Sequence, residues 1–433
     1  MAKLGSSVGF FALLLLVSSA TSVRAEKPEK PSGKLLLEAG QDFLEGAEIS
    51  GLAQIDYLRL QRSSDELSDG SDQSLNEDRF TVRRARLQLV RDWEYVGVSS
   101  LTELFAGQGV RQVALDVHAQ LPGREGQAPV LRARAGLFAV PFGFENYGQT
   151  NGQRFFGERS LFSYAFVPGR HDFGAGLEGH LYGVDWVVAA QNGEPLESGR
   201  FAGEDPNAAK DFSGRVRTKG RLTESVSIAL SASFLYGTGF SPGTPPTKDT
   251  FEWRDLNEDG RVLVSELIPI PGSAGRASQN FNRWGLGSDI QLWAQIPRLG
   301  ELFVYGELAL AVNLDRGVAP ADPILLGRDQ RSLGYYVAAV QELGQHATLG
   351  VRFEHYEPSA DALDLFGGMT VVTRRRFRTL TTGLSANLPL ADGTRARILL
   401  EYEYQQNSLG RDNRGLPAQL DNDTLRVRAE MAF

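Results

Sequence analysis

The chain has 433 residues and no cysteine, and its 53 acidic side chains outweigh 45 basic ones to give a formal charge of −8. Without cysteine there are no disulfides or thiolate metal centres, and the acidic balance argues against a nucleic-acid partner. Hydrophobic content of 42 % suits a soluble protein as well as a membrane barrel, in which alternate strand residues face water, while 48 glycines favour short strands and tight turns over helices.

At the amino-terminus Lys3 precedes an apolar run from Val8 to Val17, followed by small residues and Val23-Arg24-Ala25. Residues 1–25 read as a secretory signal peptide, because a run of about ten residues is half of what a spanning helix needs. Its removal takes Lys3 and Arg24 away and leaves a charge of −10. Residues 26–46, opening on Lys-Pro repeats, read as a short periplasmic segment, and 47–433 as an outer-membrane β-barrel. No later stretch is a continuous apolar run of spanning length, so a membrane would be crossed by strands.

Period-two segments with turn signals between them recur at 48–60, 79–91, 93–105, 111–121, 130–140, 171–182, 183–193, 211–222, 224–238, 281–296, 300–315, 332–343, 345–357, 373–389, 393–408 and 421–433. That is an all-β chain forming a transmembrane antiparallel barrel of about 16 strands, with 18 as the alternative count. Tight connections such as Tyr182-Gly183, Pro297 to Gly300 and Gly344 alternate with long polar segments at 61–78, 141–170, 194–210, 239–280, 316–331, 358–372 and 409–420. This is the rhythm of short periplasmic turns and long outer loops.

The faces of these segments differ sharply. Val226, Ile228, Leu230, Ala232, Phe234 and Tyr236 oppose Ser225, Ser227, Ala229, Ser231 and Ser233. At the carboxy-terminus Leu425, Val427, Ala429, Met431 and Phe433 oppose Thr424, Arg426, Arg428, Glu430 and Ala432, a greasy face for lipid and a charged one for the lumen. A strand closing on Phe433 resembles the carboxy-terminal signal of bacterial outer-membrane proteins.

Loop 141–170 carries Phe142, Phe144, Phe155 and Phe156 among paired charges including Arg154 and Arg159, a composition suited to a loop folded inward against the barrel wall as a constriction. Arg132/Arg134, Arg215/Arg217, Arg395/Arg397 and Arg426/Arg428 occupy alternate positions and should point into the lumen, where arginine attracts anions and grips phosphate in bidentate fashion. Glu103, Asp116, Glu178, Asp289, Glu307, Glu401, Glu403 and Glu430 are expected to face inward as well, so cross-strand pairing competes with any filter.

In the longest loop Asp255, Asn257, Asp259, Gly260, Arg261 and Glu266 complete the pattern D-x-[DN]-x-[DN]-G-x₅-E of an EF-hand-type calcium loop, with Arg261 supplying its carbonyl. Flanking helices are not evident, which points to a single structural Ca²⁺ site. The five histidines are scattered, and neither H-E-x-x-H, G-x-S-x-G nor a P-loop occurs, so no catalytic residues are assigned and no enzyme is expected.

Three stretches resemble the phosphate-selective porin O and P family of Gram-negative outer membranes: Phe80-Thr-Val-Arg83-Arg84-Ala85-Arg86-Leu87, Ala135 to Gly143, and Glu158-Arg159-Ser160-Leu161 running into Pro168-Gly169-Arg170 and on to Gly179. The resemblance implies a sixteen-stranded, usually homotrimeric channel for anions including phosphate. Here lysine is scarce and acid abundant, and the family's full arginine ladder cannot be placed. The expected function is an outer-membrane porin, a water-filled passive channel for small hydrophilic solutes or anions, in contact with membrane lipid and lipopolysaccharide. The alternative is a structural or adhesive barrel with a calcium-stabilised outer loop.

Overall fold

A computed structural model describes residues 46–61, 78–105, 110–123, 129–255, 259–360, 363–366, 369–372, 376–390, 394–408, 410–411, 417–420 and 422–433. The expected signal peptide and nearly all of the periplasmic segment lie outside these residues, as does most of the acidic loop 61–78.

Sixteen antiparallel strands close into one barrel. They are β1 (Glu48–Leu60), β2 (Asp78–Asp92), β3 (Val96–Glu103), β4 (Arg111–Leu121), β5 (Leu131–Ala139), β6 (His171–Leu181), β7 (Val184–Gln191), β8 (Asp211–Arg221), β9 (Val226–Ser241), β10 (Gln279–Ile296), β11 (Gly300–Val312), β12 (Arg331–Leu343), β13 (Ala347–Glu357), β14 (Phe377–Pro389), β15 (Arg395–Asn407) and β16 (Thr424–Ala432). Neighbours in sequence are neighbours in the wall, and β16 returns to pair with β1 from Leu52↔Ala432 to Leu60↔Thr424, so the barrel sheet itself has no open edge.

The apolar face of each strand points out. Leu230, Leu286, Ile290, Leu308, Leu349, Val351, Leu384, Ile398 and Leu400 are all exposed, an arrangement that only lipid can make favourable. No helix among the described residues is long and apolar enough to cross a membrane.

Three departures from the sequence reading have local causes. The strand expected to run to 315 stops at Val312, because Asn313 turns into the left-handed region (φ 54°) and its side chain accepts the Gln330 N–H. The outer loops contain two-stranded ribbons, Thr250–Trp253 with Leu267–Ile270, Leu363–Phe366 with Met369–Val372, and Gly410–Arg411 with Pro417–Ala418. And the lumen is not polar throughout.

On one side of the barrel the inward residues are Leu235, Tyr305, Ala309, Ala311, Tyr336, Ala338, Tyr356 and Leu399, all buried in one apolar cluster with Phe142, Phe144, Phe155, Phe156, Phe162 and Phe166 of loop 141–170. The hydrophobic core of this protein sits inside the barrel. Each fully buried aromatic contributes roughly 1.5–3 kcal/mol toward holding the loop.

The constriction loop as candidate functional site

Loop 141–170 leaves the wall after Ala139, and Gly143 at φ 74° permits the sharp entry into a single π-helical turn, Phe144–Gly148. A short helix, α1 (Leu161–Phe166), follows. Phe162 and Phe166 are one turn apart and share its buried face, and the chain is then released by Pro168 and by Gly169 and Arg170, both at positive φ.

The wall is shaped to receive the loop. Phe162 lies over Gly334 of β12 and Phe155 over Gly350 of β13 and Gly383 of β14, where an added Cβ would overlap the rings. Phe162 also stacks on Tyr336, and Phe144 meets Tyr305 edge-on at 5.4 Å between centroids. Polar bonds seal the same contact: Glu307 accepts the Phe144 N–H (3.1 Å) and the Tyr336 hydroxyl (3.2 Å), and the Gly143 N–H reaches Ser233 Oγ (3.0 Å).

The other edge of the loop is held by charge. Glu158 takes a bidentate pair from Arg83 (2.6 and 2.9 Å), one bond from Arg84 (3.0 Å) and one from Arg428 (3.3 Å). Burial alone would raise the Glu158 carboxyl, but Arg84, Arg83 and Arg428 outweigh it and hold the group well below the usual carboxylate range. Arg83 and Arg84 can both face the lumen because the β1–β2 register slips between Gln54 and Ile55, leaving Arg83 as the extra residue of a bulge.

Arg428 is 1 % exposed and forks onto Asp56 (2.6 and 2.7 Å) across the β1–β16 seam while donating to the Gly157 carbonyl (2.8 Å). Arg426 pairs with Glu401 and Glu403, and the Glu401 carboxylate accepts the Gly157 N–H (2.9 Å). Arg397 pairs with Glu430 (2.8 Å) and donates to the Arg154 carbonyl (2.7 Å). Glu145, completely buried, accepts from Arg352 (3.3 Å) and from the Ser160 N–H (2.6 Å).

These positions correct the expectation that the arginines at alternate positions all line a path. Arg154, at 2 % exposure, is enclosed within the loop itself and donates to its Glu145 carbonyl (3.4 Å), and Arg426 and Arg428 are consumed in ion pairs that fasten the loop. Arg215 is buried against Asp289 (2.8 Å). Arg132 and Arg134 share Glu178 and stay partly exposed; among the described residues Arg217 donates only to Gln291 (3.4 Å), and Arg395 is exposed.

Two loop arginines differ from the rest. Arg159 donates to Asn146 Oδ1 and the Val167 carbonyl (3.0 Å), and Arg170 donates to the Asn146 carbonyl (2.8 Å). Neither has a carboxylate at ion-pair distance among the described residues. Burial and the repulsion of Arg154 bring Arg159 down to about 10, and burial with Arg154, Arg159, Arg86 and Arg84 nearby drives Arg170 well below its ordinary value. Arg159 stays protonated at neutral pH, and an anion arriving between the two guanidinium groups would relieve the repulsion.

Arg170 and the Arg83/Arg84/Arg86 cluster were not among the residues picked out for permeation. The signal available was the run Arg83-Arg84-Ala85-Arg86, whose doublet breaks strict alternation and so marks a bulge.

Below the loop, toward the short-turn end, a cavity of about 290 Å³ is lined by Arg132, Tyr147, Glu178, His180, Arg215 and Arg217. In the outer loop Asp255 accepts the N–H groups of Asp259 (3.2 Å) and Gly260 (2.7 Å), with Gly260 at φ 80°, while Glu266 accepts the Leu263 N–H (2.7 Å). Asn257 lies outside the described residues, and among those described no three acidic or histidine side chains converge as a metal site.

A closed, even-stranded antiparallel barrel with an apolar exterior and an inward-folded loop is the architecture of a Gram-negative outer-membrane protein. No family model and no curated protein matches the sequence. Among solved structures the chain is similar to OmpT of Vibrio cholerae in its trimer form, with a TM-score of 0.50 and 8 % identity over 89 % of this chain and 99 % of that one. It is also similar to an anion-selective porin from Comamonas acidovorans (TM-score 0.48, 10 % identity, 89 % and 98 % covered) and to OprB of Pseudomonas putida (0.47, 10 %, 95 % and 100 %). At these identities what is shared is the fold.

Proposed function

We propose that this protein is an outer-membrane porin, a passive channel for small hydrophilic solutes that favours anions, phosphate among them, and catalyses no reaction. The observation that carries this reading is the pair Arg159 and Arg170, held at the edge of the constriction loop by Asn146 without a carboxylate partner among the described residues. Farther down, the lumen face of β8 carries Arg217, Lys219 and Arg221, again without ion pairs among the described residues, so positive charge continues toward the short-turn mouth. Charges so arranged in a narrow, low-dielectric passage raise the local concentration of counter-ions.

The test is single-channel conductance and reversal potential of the refolded protein in planar bilayers under a KCl gradient. The wild type should reverse on the anion-selective side and be interrupted by phosphate. Arg159→Ala with Arg170→Ala should lower the chloride-to-potassium permeability ratio by roughly threefold while the barrel still folds. A cation-selective or unselective wild type would remove the anion preference and leave the porin.

A homotrimer is proposed on the family resemblance alone. Calcium in the outer loop is proposed on its complete motif and on the curl that Asp255 and Gly260 already make. Binding would draw Glu266 from the Leu263 N–H, with Arg261 offering its carbonyl. If so, EGTA should speed proteolysis within 250–270 by roughly tenfold without altering the heat-modifiable mobility of the barrel. The same hairpin exposes Phe251 by 56 % and Trp253 by 70 %, which favours, as a second reading, a surface that engages a partner outside the cell.

A further inference from the structure

The lumen wall below the constriction carries an aromatic stack with a cation beside it. Trp293 of β10 stacks on Phe303 of β11 (centroids 5.1 Å apart, planes at 14°), and Phe303 stacks on Tyr305 (4.7 Å, 20°). Tyr305 is buried under the loop, whereas Trp293 and Phe303 are partly exposed. Lys219 of β8 places its ammonium 4.7 Å from the Trp293 ring centre. Lys219 is exposed and has no carboxylate at ion-pair distance among the described residues, and the same holds for Arg217, two positions along the same strand face. Gln291, two positions from Trp293, accepts from Arg217 and so ties the two groups together (3.4 Å).

Apolar rings at a wet surface would ordinarily be wasted in a passage for inorganic ions alone. Here they adjoin two cations, and the pairing matches a solute with a flat ring at one end and a negative charge at the other. We propose that the short-turn half of the lumen holds a binding subsite for a small aromatic carboxylate, its ring against Trp293 and Phe303 and its carboxylate on Lys219 and Arg217. The site deepens the anion-channel reading and rests on it. Glu301 stands on the same wall, so the competing ligand is an aromatic cation, and the neutral competitor is a ring alone.

The probes are benzoate, acetate, benzyl alcohol and benzylammonium, added to bilayers carrying the wild type, W293F, W293L and K219M. Benzoate should interrupt the chloride current at a concentration about tenfold below acetate, a gap of about 1.4 kcal/mol that a ring contact can supply. Phe at position 293 should keep most of that gap, Leu should abolish it, and K219M should weaken benzoate while sparing benzyl alcohol.

Equal potency of benzoate and acetate overturns the subsite, as does block by benzylammonium or benzyl alcohol as strong as that by benzoate. Selectivity for cations before any probe is added is the separate failure of the channel reading. Binding is also read without current, by saturable quenching of tryptophan emission in detergent. Absence of that quenching by benzoate, or its persistence unchanged in W293L, sinks the proposal whether or not the protein conducts.

Discussion

Gly350→Val should open the constriction without unfolding the barrel. Position 350 lies in the middle of β13, where valine suits the strand, but its Cβ would occupy the space of the Phe155 ring. Overpacking a tight core costs about 1–3 kcal/mol when neighbours can shift, and the neighbour here is a loop rather than a wall. The loop should yield, withdrawing Phe155 and Phe156 from the cluster. The expected readout is a conductance increase of about twofold or more together with larger open-channel noise. Gly334→Val, which meets Phe162, should act in the same direction. Unchanged conductance in well-folded protein would mean that the loop packing does not set the bore.

The second large effect is expected from Glu158→Gln. Arg83 and Arg84 meet on Glu158, which also gives Arg428 a second acidic partner beside Asp56. Its removal leaves Arg84 buried without an acid among its hydrogen-bond partners, Gln54 remaining. The cost to loop docking is roughly 1–3 kcal/mol, below that of a fully buried pair because Glu158 is partly exposed. At the same time a negative charge leaves the edge of the inward-folded loop. Selectivity should therefore move further toward anions while the current becomes noisier. A shift toward cations would contradict the placement of Glu158.

The wild-type latch has a defined pH dependence. Its carboxyl is depressed in the folded state, so its stabilisation is present above the ordinary carboxylate pKa near 4.5 and is lost only as pH falls through the lower folded value. Current noise in the wild type should stay flat through pH 4.5, and E158Q should be noisy throughout.

The barrel was legible in the sequence because lipid outside and water inside impose a period of two on every strand, as in Leu425 to Phe433 against Thr424 to Ala432. The extra ribbons were not, because segments such as Thr250–Trp253 are fully exposed and no buried face imprints a pattern on them. The inward fold of loop 141–170 could be anticipated from its aromatics. Its seat could not, since Gly350 and Gly383 come to lie side by side under Phe155 only once the register of β13 and β14 is known. The alternating arginines did point inward, but their partners are remote: Arg428 meets Asp56 across 372 positions of sequence. Period-two reasoning finds the face and says nothing of who stands opposite.

The seam between β1 and β16 and the loop inside the barrel are joined through Arg428, which binds Asp56 on one strand, the Gly157 carbonyl and Glu158. Neither end of that connection is complete until the last strand has met the first. Loop contacts with β12 to β15 likewise join residues near 150 to residues synthesised some two hundred positions later, so they form late. The bonds by which Arg428 fastens the loop to the seam therefore come into register only as the cylinder closes. A chain that fails to close presents no finished narrow passage, which makes the constriction a report on whether assembly has ended.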